Sequence, residues 1–165
     1  MARYFLFDAS ALAKRYVTEV GSPQINHLFA NVQTPQLLCH ILTTLEVISI
    51  FVRKKNRSDI SVNAFAQAEV DFRKEVLDEP SFAKLPALDA QIYASISYID
   101  KHAINSSDAI VLCATLTFQK QLAKDDSVAM VASDQRLLKA AQAEGLVTFN
   151  PESQTQSELD ALLAS

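Results

Sequence analysis

Near its N-terminus the sequence contains the stretch Arg3-Tyr-Phe-Leu-Phe-Asp8-Ala-Ser10, an apolar run that stops at an aspartate. The run is short and rich in aromatic residues, which predicts a buried β-strand rather than a helix. Asp8 would then lie at the carboxyl end of that strand. Ligands bind at this edge of open α/β sheets, because strand ends and helix N-termini converge there. Asp8 is therefore a candidate metal ligand, nucleophile or helix cap.

The composition is that of one compact globular domain. The chain has 165 residues, of which 49% are hydrophobic and 21% charged, so it has room for a substantial core. No apolar run approaches the roughly 20 residues of a membrane span, and the N-terminus lacks a signal-peptide pattern. We therefore expect a cytoplasmic location and no contact with a membrane. Cys39 and Cys113 are far apart in apolar surroundings, which favours buried thiols over a disulfide or zinc site.

Strand-like apolar segments alternate with amphipathic helical segments along the chain. After the first run, strands are predicted at 36–41, 128–133 and 146–149, and a strand or connector at 82–85. Helices are predicted at 10–17, 23–31, 43–57, 58–79, 88–102, 106–121 and 134–144. This alternation predicts an α/β fold, a three-layer α/β/α sandwich with a central parallel sheet of four to five strands. The predicted domain covers 1–150, and a tail at 151–165 contains a short helix at 158–163.

Acidic residues follow three of the predicted strands. Asp8 follows the first strand, Glu46 lies in the first turn after the second, and Asp134 comes directly after 128–133. Asp108 joins them if its apolar helix begins at the same edge of the sheet. Each acid also has a purely structural interpretation. Thr43-Thr-Leu-Glu46 fits a capping box, and the three aspartates can cap a helix or lie in its first turn.

Four gathered carboxylates predict a bound cation. Like charges raise one another's pKa, so such a cluster is unfavourable without a counter-charge. Mg²⁺ prefers a few carboxylates together with water and phosphate oxygens. The chemistry that suits this set is metal-assisted phosphodiester hydrolysis. With only two glycines in the chain, neither a P-loop nor a dinucleotide-binding fingerprint is possible.

Four blocks of sequence resemble the PIN-domain ribonucleases, especially the VapC-type toxins of type II toxin-antitoxin systems. The block Phe5-Leu-Phe-Asp8-Ala-Ser10-Ala-Leu resembles the opening of that family. Its next blocks are matched in order by Thr44-Leu-Glu46-Val, Ser107-Asp108-Ala-Ile-Val-Leu-Cys-Ala-Thr115 and Val131-Ala-Ser133-Asp134-Gln-Arg-Leu137. The resemblance extends to about Phe149.

The resemblance implies an endoribonuclease that depends on Mg²⁺ or Mn²⁺, forms a homodimer and is inhibited by a cognate antitoxin. By position, the catalytic and metal-binding residues would be Asp8, Glu46, Asp108 and Asp134, with Ser10 and Ser133 as polar support. The chain departs from the family in the polar segment 104–107 and in a longer helical region at 58–85. These departures bear on the substrate and the partner more than on the metal site.

Charge bears on the RNA substrate that the resemblance implies. The formal net charge is -4, so outside a cluster of four acids the chain is balanced rather than basic. We expect modest, salt-sensitive binding to nucleic acid. Lys14 and Arg15, near the proposed site, are the predicted RNA contacts. The basic run at 53–57 suits a solvated helix end first and a phosphate contact second. The apolar helical positions at 60–76 predict a homodimer and an antitoxin contact.

Two other classes of function compete with the nuclease. A haloacid-dehalogenase-type phosphotransferase also begins with a strand that ends in aspartate, but it needs a second aspartate two residues later. Ser10 stands at that position. A non-catalytic PIN-like scaffold, in which the acids only cap helices, remains open. The nuclease and the scaffold are distinguished by whether stability or activity depends on Mg²⁺ or Mn²⁺.

Overall fold

The structure is a computed structural model that describes residues 2–164; Met1 and Ser165, the outer ends of the predicted domain and tail, lie outside it. This part of the chain forms a five-stranded, all-parallel sheet in the order β3-β2-β1-β4-β5. The strands are β1 (Arg3–Phe7), β2 (Leu37–His40), β3 (Ala83–Leu85), β4 (Ser127–Val131) and β5 (Val147–Phe149). The segment at 82–85, left open between strand and connector, is an edge strand.

Helices connect the strands. They are α1 (Ala9–Leu12), α2 (Ser22–Asn31), α3 (Ile41–Asn56), α4 (Val62–Phe72), α5 (Asp89–His102), α6 (Ser106–Gln121), α7 (Gln135–Ala143) and α8 (Gln156–Ala164). Short 3₁₀ turns occur at Ala13–Arg15 and Thr34–Gln36, and a π-helical segment, Arg73–Leu77, follows α4. Within residues 2–164, no helix is long and apolar enough to cross a membrane.

The predicted helix boundaries differ most from the structure at two helices. The helix expected at 10–17 is a single α-helical turn that continues as a 3₁₀ turn. The helix expected at 58–79 begins only at Val62, because Ser61 caps it by accepting a hydrogen bond from the Ala64 amide at 3.1 Å. Serine at an N-cap is strongly favoured, since its hydroxyl satisfies an otherwise unpaired backbone amide.

Side chains of β1 alternate between two separate cores, one on each face of the sheet. Phe5 and Phe7 are buried in the first core, which also contains residues of α2, α3, α4 and α8. Leu6 points the other way, into a second core built with α6 and α7. The period-two alternation of a strand buried on both faces produces this arrangement. The predicted three-layer α/β/α sandwich is confirmed.

The order of the strands places a topological switch point at the carboxyl end of β1. β1 lies between β2 and β4, and its last residue, Phe7, is in register with Cys39 and Val131. The residues that follow all three strands therefore emerge at one edge. Such a switch point between neighbouring strands is where parallel α/β sheets bind ligands.

The C-terminal segment packs onto the same body. The predicted tail helix is present as α8, and its Leu159 is buried in the first core. Gly21 has φ +92°, and a Cβ there would lie 2.9 Å from the backbone of Pro151. Glycine at this position permits both the left-handed conformation and the close approach of the two segments.

Candidate active site

Asp8 follows β1 directly and caps α1. Its Oδ2 accepts hydrogen bonds from the Ser10 amide at 3.0 Å and from the Ser10 hydroxyl at 2.6 Å. The same hydroxyl accepts a hydrogen bond from the Ser133 amide at 2.9 Å. Ser10 thus fixes the Asp8 carboxylate and ties the ends of β1 and β4 together. The sequence placed both serines at this edge, and the structure brings them together with Asp8.

Glu46 reaches the same region from α3, but without capping it. The helix begins at Ile41, and its N-cap is His40, whose Nδ1 accepts a hydrogen bond from the Leu42 amide at 3.2 Å. The predicted capping box at 43–46 is therefore wrong, because Glu46 lies in the second helical turn. Burial raises the pKa of the Glu46 carboxyl, a hydrogen bond from Ser107 lowers it, and the charge of Asp8 raises it.

Asp108 lies in the first turn of α6, as predicted. The Asn105 side chain caps this helix, and its Oδ1 accepts a hydrogen bond from the Asp108 amide at 2.9 Å. The Asp108 carboxylate is buried, and its Oδ2 has no hydrogen-bond partner. Since α6 leads into β4, its N-terminus lies at the edge where β1 and β4 end. Asp108 thus joins the other acids, although its side chain caps nothing.

Asp134 caps α7, which is the structural role that the sequence predicted as its alternative to metal binding. Its Oδ1 accepts hydrogen bonds from the Arg136 amide at 2.8 Å and from the Leu137 amide at 3.2 Å. The other oxygen, Oδ2, lies 3.8 Å from Nη2 of Arg136. One oxygen of Asp134 therefore caps the helix, and the other faces the guanidinium group of Arg136.

The four acids act on one another electrostatically. The pKa of Asp108 is raised to about 7, first by burial and then by the charges of Asp8, Asp134 and Glu46. An aspartate normally has a pKa near 4. Mutual repulsion of this kind requires the carboxylates to lie close together in a poorly solvated site. The three other acids therefore lie within electrostatic range of Asp108 at this edge of the sheet.

Solved structures share this architecture over nearly the whole chain. PAE2754 from Pyrobaculum aerophilum gives a TM-score of 0.65 at 17% identity, covering 100% of this chain and 98% of that one. FitAB bound to an IR36 DNA fragment gives 0.61 at 16% identity, covering 92% and 98%. FitAcB from Neisseria gonorrhoeae gives 0.61 at 15% identity, covering 91% and 99%. No protein-family model and no curated protein matches the sequence.

The chain has a PIN-like fold. Its structural neighbours are PIN-domain proteins of the VapC type. At identities this low the similarity establishes the fold, and it confirms at that level the resemblance carried by the four sequence blocks. The acids at the end of β1, in α3, in α6 and at the start of α7 therefore lie within a PIN-like framework.

The donor set of the PIN-like chain suits a hard divalent cation. Mg²⁺ and Mn²⁺ prefer carboxylate and hydroxyl oxygens, and two such atoms, Oδ2 of Asp108 and Oγ of Ser133, are buried without a hydrogen-bond partner. Unpaired buried oxygens are costly unless something else binds them. Within residues 2–164, no three His, Cys, Asp or Glu side chains form a ready-made metal-binding group. The structure thus supplies candidate ligands without a preformed cage.

The predicted RNA contacts, Lys14 and Arg15, are engaged elsewhere. Lys14 is only 3% exposed, and its Nζ lies 2.9 Å from Glu19 and 2.6 Å from Glu152. Arg15 donates two hydrogen bonds to Glu75, at 3.1 and 2.9 Å, and stacks over the Phe29 ring at 5.0 Å. Buried charges need such partners. These contacts argue against an RNA-binding role for either residue.

Sequence analysis missed two residues that support the acids, Ser107 and Asn105. Ser107 donates a hydrogen bond to Asn105 Oδ1 at 2.9 Å, and its hydroxyl also lowers the pKa of the Glu46 carboxyl. Both belong to the segment 104–107, in which the chain departs from the PIN-domain family. The available signal was the asparagine three residues before Asp108, because asparagine is among the preferred N-caps.

Proposed function

We propose that this chain is a metal-dependent endoribonuclease and the toxin of a toxin-antitoxin pair. The observation that carries the proposal is that two of the four acids, Glu46 and Asp108, cap no helix and yet lie where burial and like charge raise their pKa values. Such an arrangement is unfavourable for stability alone. Its occurrence at the ligand-binding edge of a PIN-like fold supports a catalytic role.

The chain's own residues would hold Mg²⁺, or Mn²⁺, through Asp8, Glu46, Asp108 and Asp134. When bound, the cation would neutralise the cluster and activate water for hydrolysis of a phosphodiester bond. Ser10 keeps the Asp8 carboxylate in one orientation through two hydrogen bonds. Asp108 must give up its proton before it can act as a ligand, so cation binding should strengthen as the pH rises through its pKa of about 7.

A non-catalytic scaffold is the second candidate, because Asp8 and Asp134 do cap α1 and α7. On that interpretation Asp8 and Asp134 serve only as helix caps. A phosphotransferase is disfavoured, since Ser10 occupies the position of the second aspartate and is used to orient Asp8. The nuclease and the scaffold make opposite predictions for activity.

The test is cleavage of a labelled single-stranded RNA by purified protein in Mg²⁺, in Mn²⁺ and in EDTA. Asp8→Asn and Glu46→Gln, which remove one charge each and keep the shape of the side chain, should each lower the rate at least about 100-fold, since even loss of a residue that only supports a ligand costs 10–100-fold. Asp100→Asn, at an exposed acid of α5, is the matched control and should keep full activity. A folded Asp8→Asn protein with full activity would favour the scaffold.

A homodimer and a cognate antitoxin remain part of the proposal. Of the apolar residues at 60–76, where the sequence predicted this surface, Ala68, Phe72 and Val76 are buried in the chain's own core, whereas Val62 and Val70 are exposed. A larger exposed apolar surface includes one side of α5 and the residue before it. It consists of Leu88, Ile92, Tyr93 and Ile96, which are 39–73% exposed. This surface supports a dimer through α5.

A further inference from the structure

An RNA substrate needs positive charge beside the acidic cluster. A phosphodiester chain approaching four carboxylates is repelled, and one divalent cation offsets only half of their charge. Basic residues must supply the remainder if the backbone is to bind at this edge. Lys14 and Arg15 are committed to internal ion pairs, so the charge has to come from elsewhere in the chain.

Arg136 lies beside the cluster in the first turn of α7. Its Nη2 is 3.8 Å from Oδ2 of Asp134, and its charge lowers the pKa of Asp108. The Arg136 side chain is 66% exposed, and a long, exposed ion pair of this kind holds its partners only weakly. The guanidinium group can therefore turn to a phosphate, whose oxygens match its planar pair of donors.

Arg53 is the second basic residue, and it lies in the last turn of α3. It follows Glu46 by seven residues, which is about two helical turns, so both side chains lie on the same face of the helix. Arg53 is exposed, and its charge lowers the pKa of Glu46. The next two basic residues differ: Lys54 pairs with Glu19, and Lys55 lies over the Phe65 ring at 4.1 Å. Arg57 lies a further turn from Glu46, so within the basic run Arg53 is the arginine nearer to this acid.

The topology separates the two arginines across the site. α3 follows β2 and α7 follows β4, and these strands flank β1 on opposite sides. The two helices also pack on opposite faces of the sheet. A nucleic-acid strand crossing this edge of the sheet would meet one arginine before the acids and the other after them.

We infer that Arg53 and Arg136 are the phosphate contacts of this site, binding the RNA backbone on either side of the acidic cluster. The inference rests on the proposed function, because it takes RNA as the substrate. Two guanidinium groups and one divalent cation together balance four carboxylates. The contacts are to phosphates and not to bases, so they set affinity and position without reading sequence.

The test measures binding of fluorescein-labelled single-stranded RNA by anisotropy over a range of NaCl concentrations, with Asp8→Asn as the non-cleaving parent. In that parent, Arg53→Gln and Arg136→Gln should each lower the slope of log K against log salt by about 0.7, and the double variant by about 1.4. The weakening should be the same for two RNAs of different sequence. Arg53→Lys and Arg136→Lys, which keep the charge, should restore most of the slope.

Lys120→Gln is the charge-matched control. This exposed residue lies at the far end of α6, twelve residues after Asp108 and roughly 18 Å along the helix axis, so its removal should leave the slope unchanged. In the cleaving protein, the two Arg→Gln changes should raise KM with little effect on kcat. A wild-type chain that cleaves RNA while the Arg→Gln variants keep the parent's slope would overturn this inference alone. A wild-type chain that neither binds nor cleaves RNA would overturn the proposed function, and this inference with it.

Discussion

Replacing Asp108 by asparagine should remove a specific pH dependence of stability. The folded protein holds the Asp108 proton up to a pKa of about 7, whereas an aspartate in the unfolded chain releases it near the ordinary value of 3.8. Between these values the folded state binds more protons than the unfolded state. Linkage then requires that the free energy of unfolding falls as the pH rises through this window. Asparagine resembles the protonated acid and has no proton to release.

The size of the effect follows from the same difference in protonation. One proton corresponds to about 1.4 kcal/mol of unfolding free energy per pH unit. From pH 5 to 7 the wild type should therefore lose up to about 2.7 kcal/mol more than Asp108→Asn. The value is an upper limit, because neighbouring carboxylates share the titration. At pH 7 the variant should be the more stable protein in EDTA.

The measurement is urea unfolding followed by circular dichroism at half-unit steps from pH 5 to 7, in EDTA and with millimolar Mg²⁺ or Mn²⁺. Cation binding to the deprotonated native site should stabilise the wild type most at the high-pH end. Asp108→Asn should gain much less from either cation. Asp100→Asn, at an exposed acid outside the cluster, should keep the wild-type dependence on both pH and metal.

If the free energy of unfolding depends on pH in the same way in the wild type and in Asp108→Asn, the assignment of the proton to Asp108 is refuted. A wild-type curve that is the same in EDTA and in Mg²⁺ or Mn²⁺ would show that the cluster binds no cation at these concentrations. The scaffold would then be the better account of the four acids. The first comparison is between two proteins that differ at one residue, and the second is between two solutions of the same protein. Titrations of other groups therefore cancel in both.

Two further predictions concern other parts of the structure. His40→Ala should destabilise the fold by about 1 kcal/mol more than His40→Asn, because asparagine can still cap α3; equal losses in urea unfolding would show that the hydrogen bond to Leu42 matters little. Ile96→Glu, in the exposed apolar surface of α5, should convert a dimer into a monomer by light scattering; a wild-type chain that is already monomeric would remove α5 as a dimer interface.

The helical caps explain both what was predictable and what was not. Asp8 and Asp134 could be predicted as caps and as site residues, because an aspartate after a strand and before a helix is suited to both. The start of α3 could not, since histidine is not among the preferred N-caps and the sequence instead offered a capping box at 43–46. His40 moves the helix start to Ile41, and Glu46 is thereby left for the cluster.

Whether each basic residue is available to bind RNA depends on contacts with residues that are distant in sequence. The partners of Lys14 include Glu152, which is 138 residues away, and Arg15 pairs with Glu75 at a separation of 60. Nothing local to 14–15 indicates these acids. Arg53 is the opposite case. The sequence explains its basic run best as a solvated helix end, and only the position of Glu46 two turns earlier places Arg53 beside the site.

The helix N-termini at this edge reduce the repulsion within the cluster but do not remove it. Asp108 lies in the first turn of α6 and Asp134 caps α7, and each such position stabilises a carboxylate by about 0.3–1 kcal/mol. The raised pKa of Asp108, from 3.8 to about 7, corresponds to roughly 4 kcal/mol against its charged form. The repulsion and burial therefore exceed what the helices supply. Below pH 7 the proton of Asp108 relieves this repulsion. Above it a bound cation is the remaining source of compensation, and for this reason the response of stability to Mg²⁺ or Mn²⁺ at high pH discriminates between nuclease and scaffold.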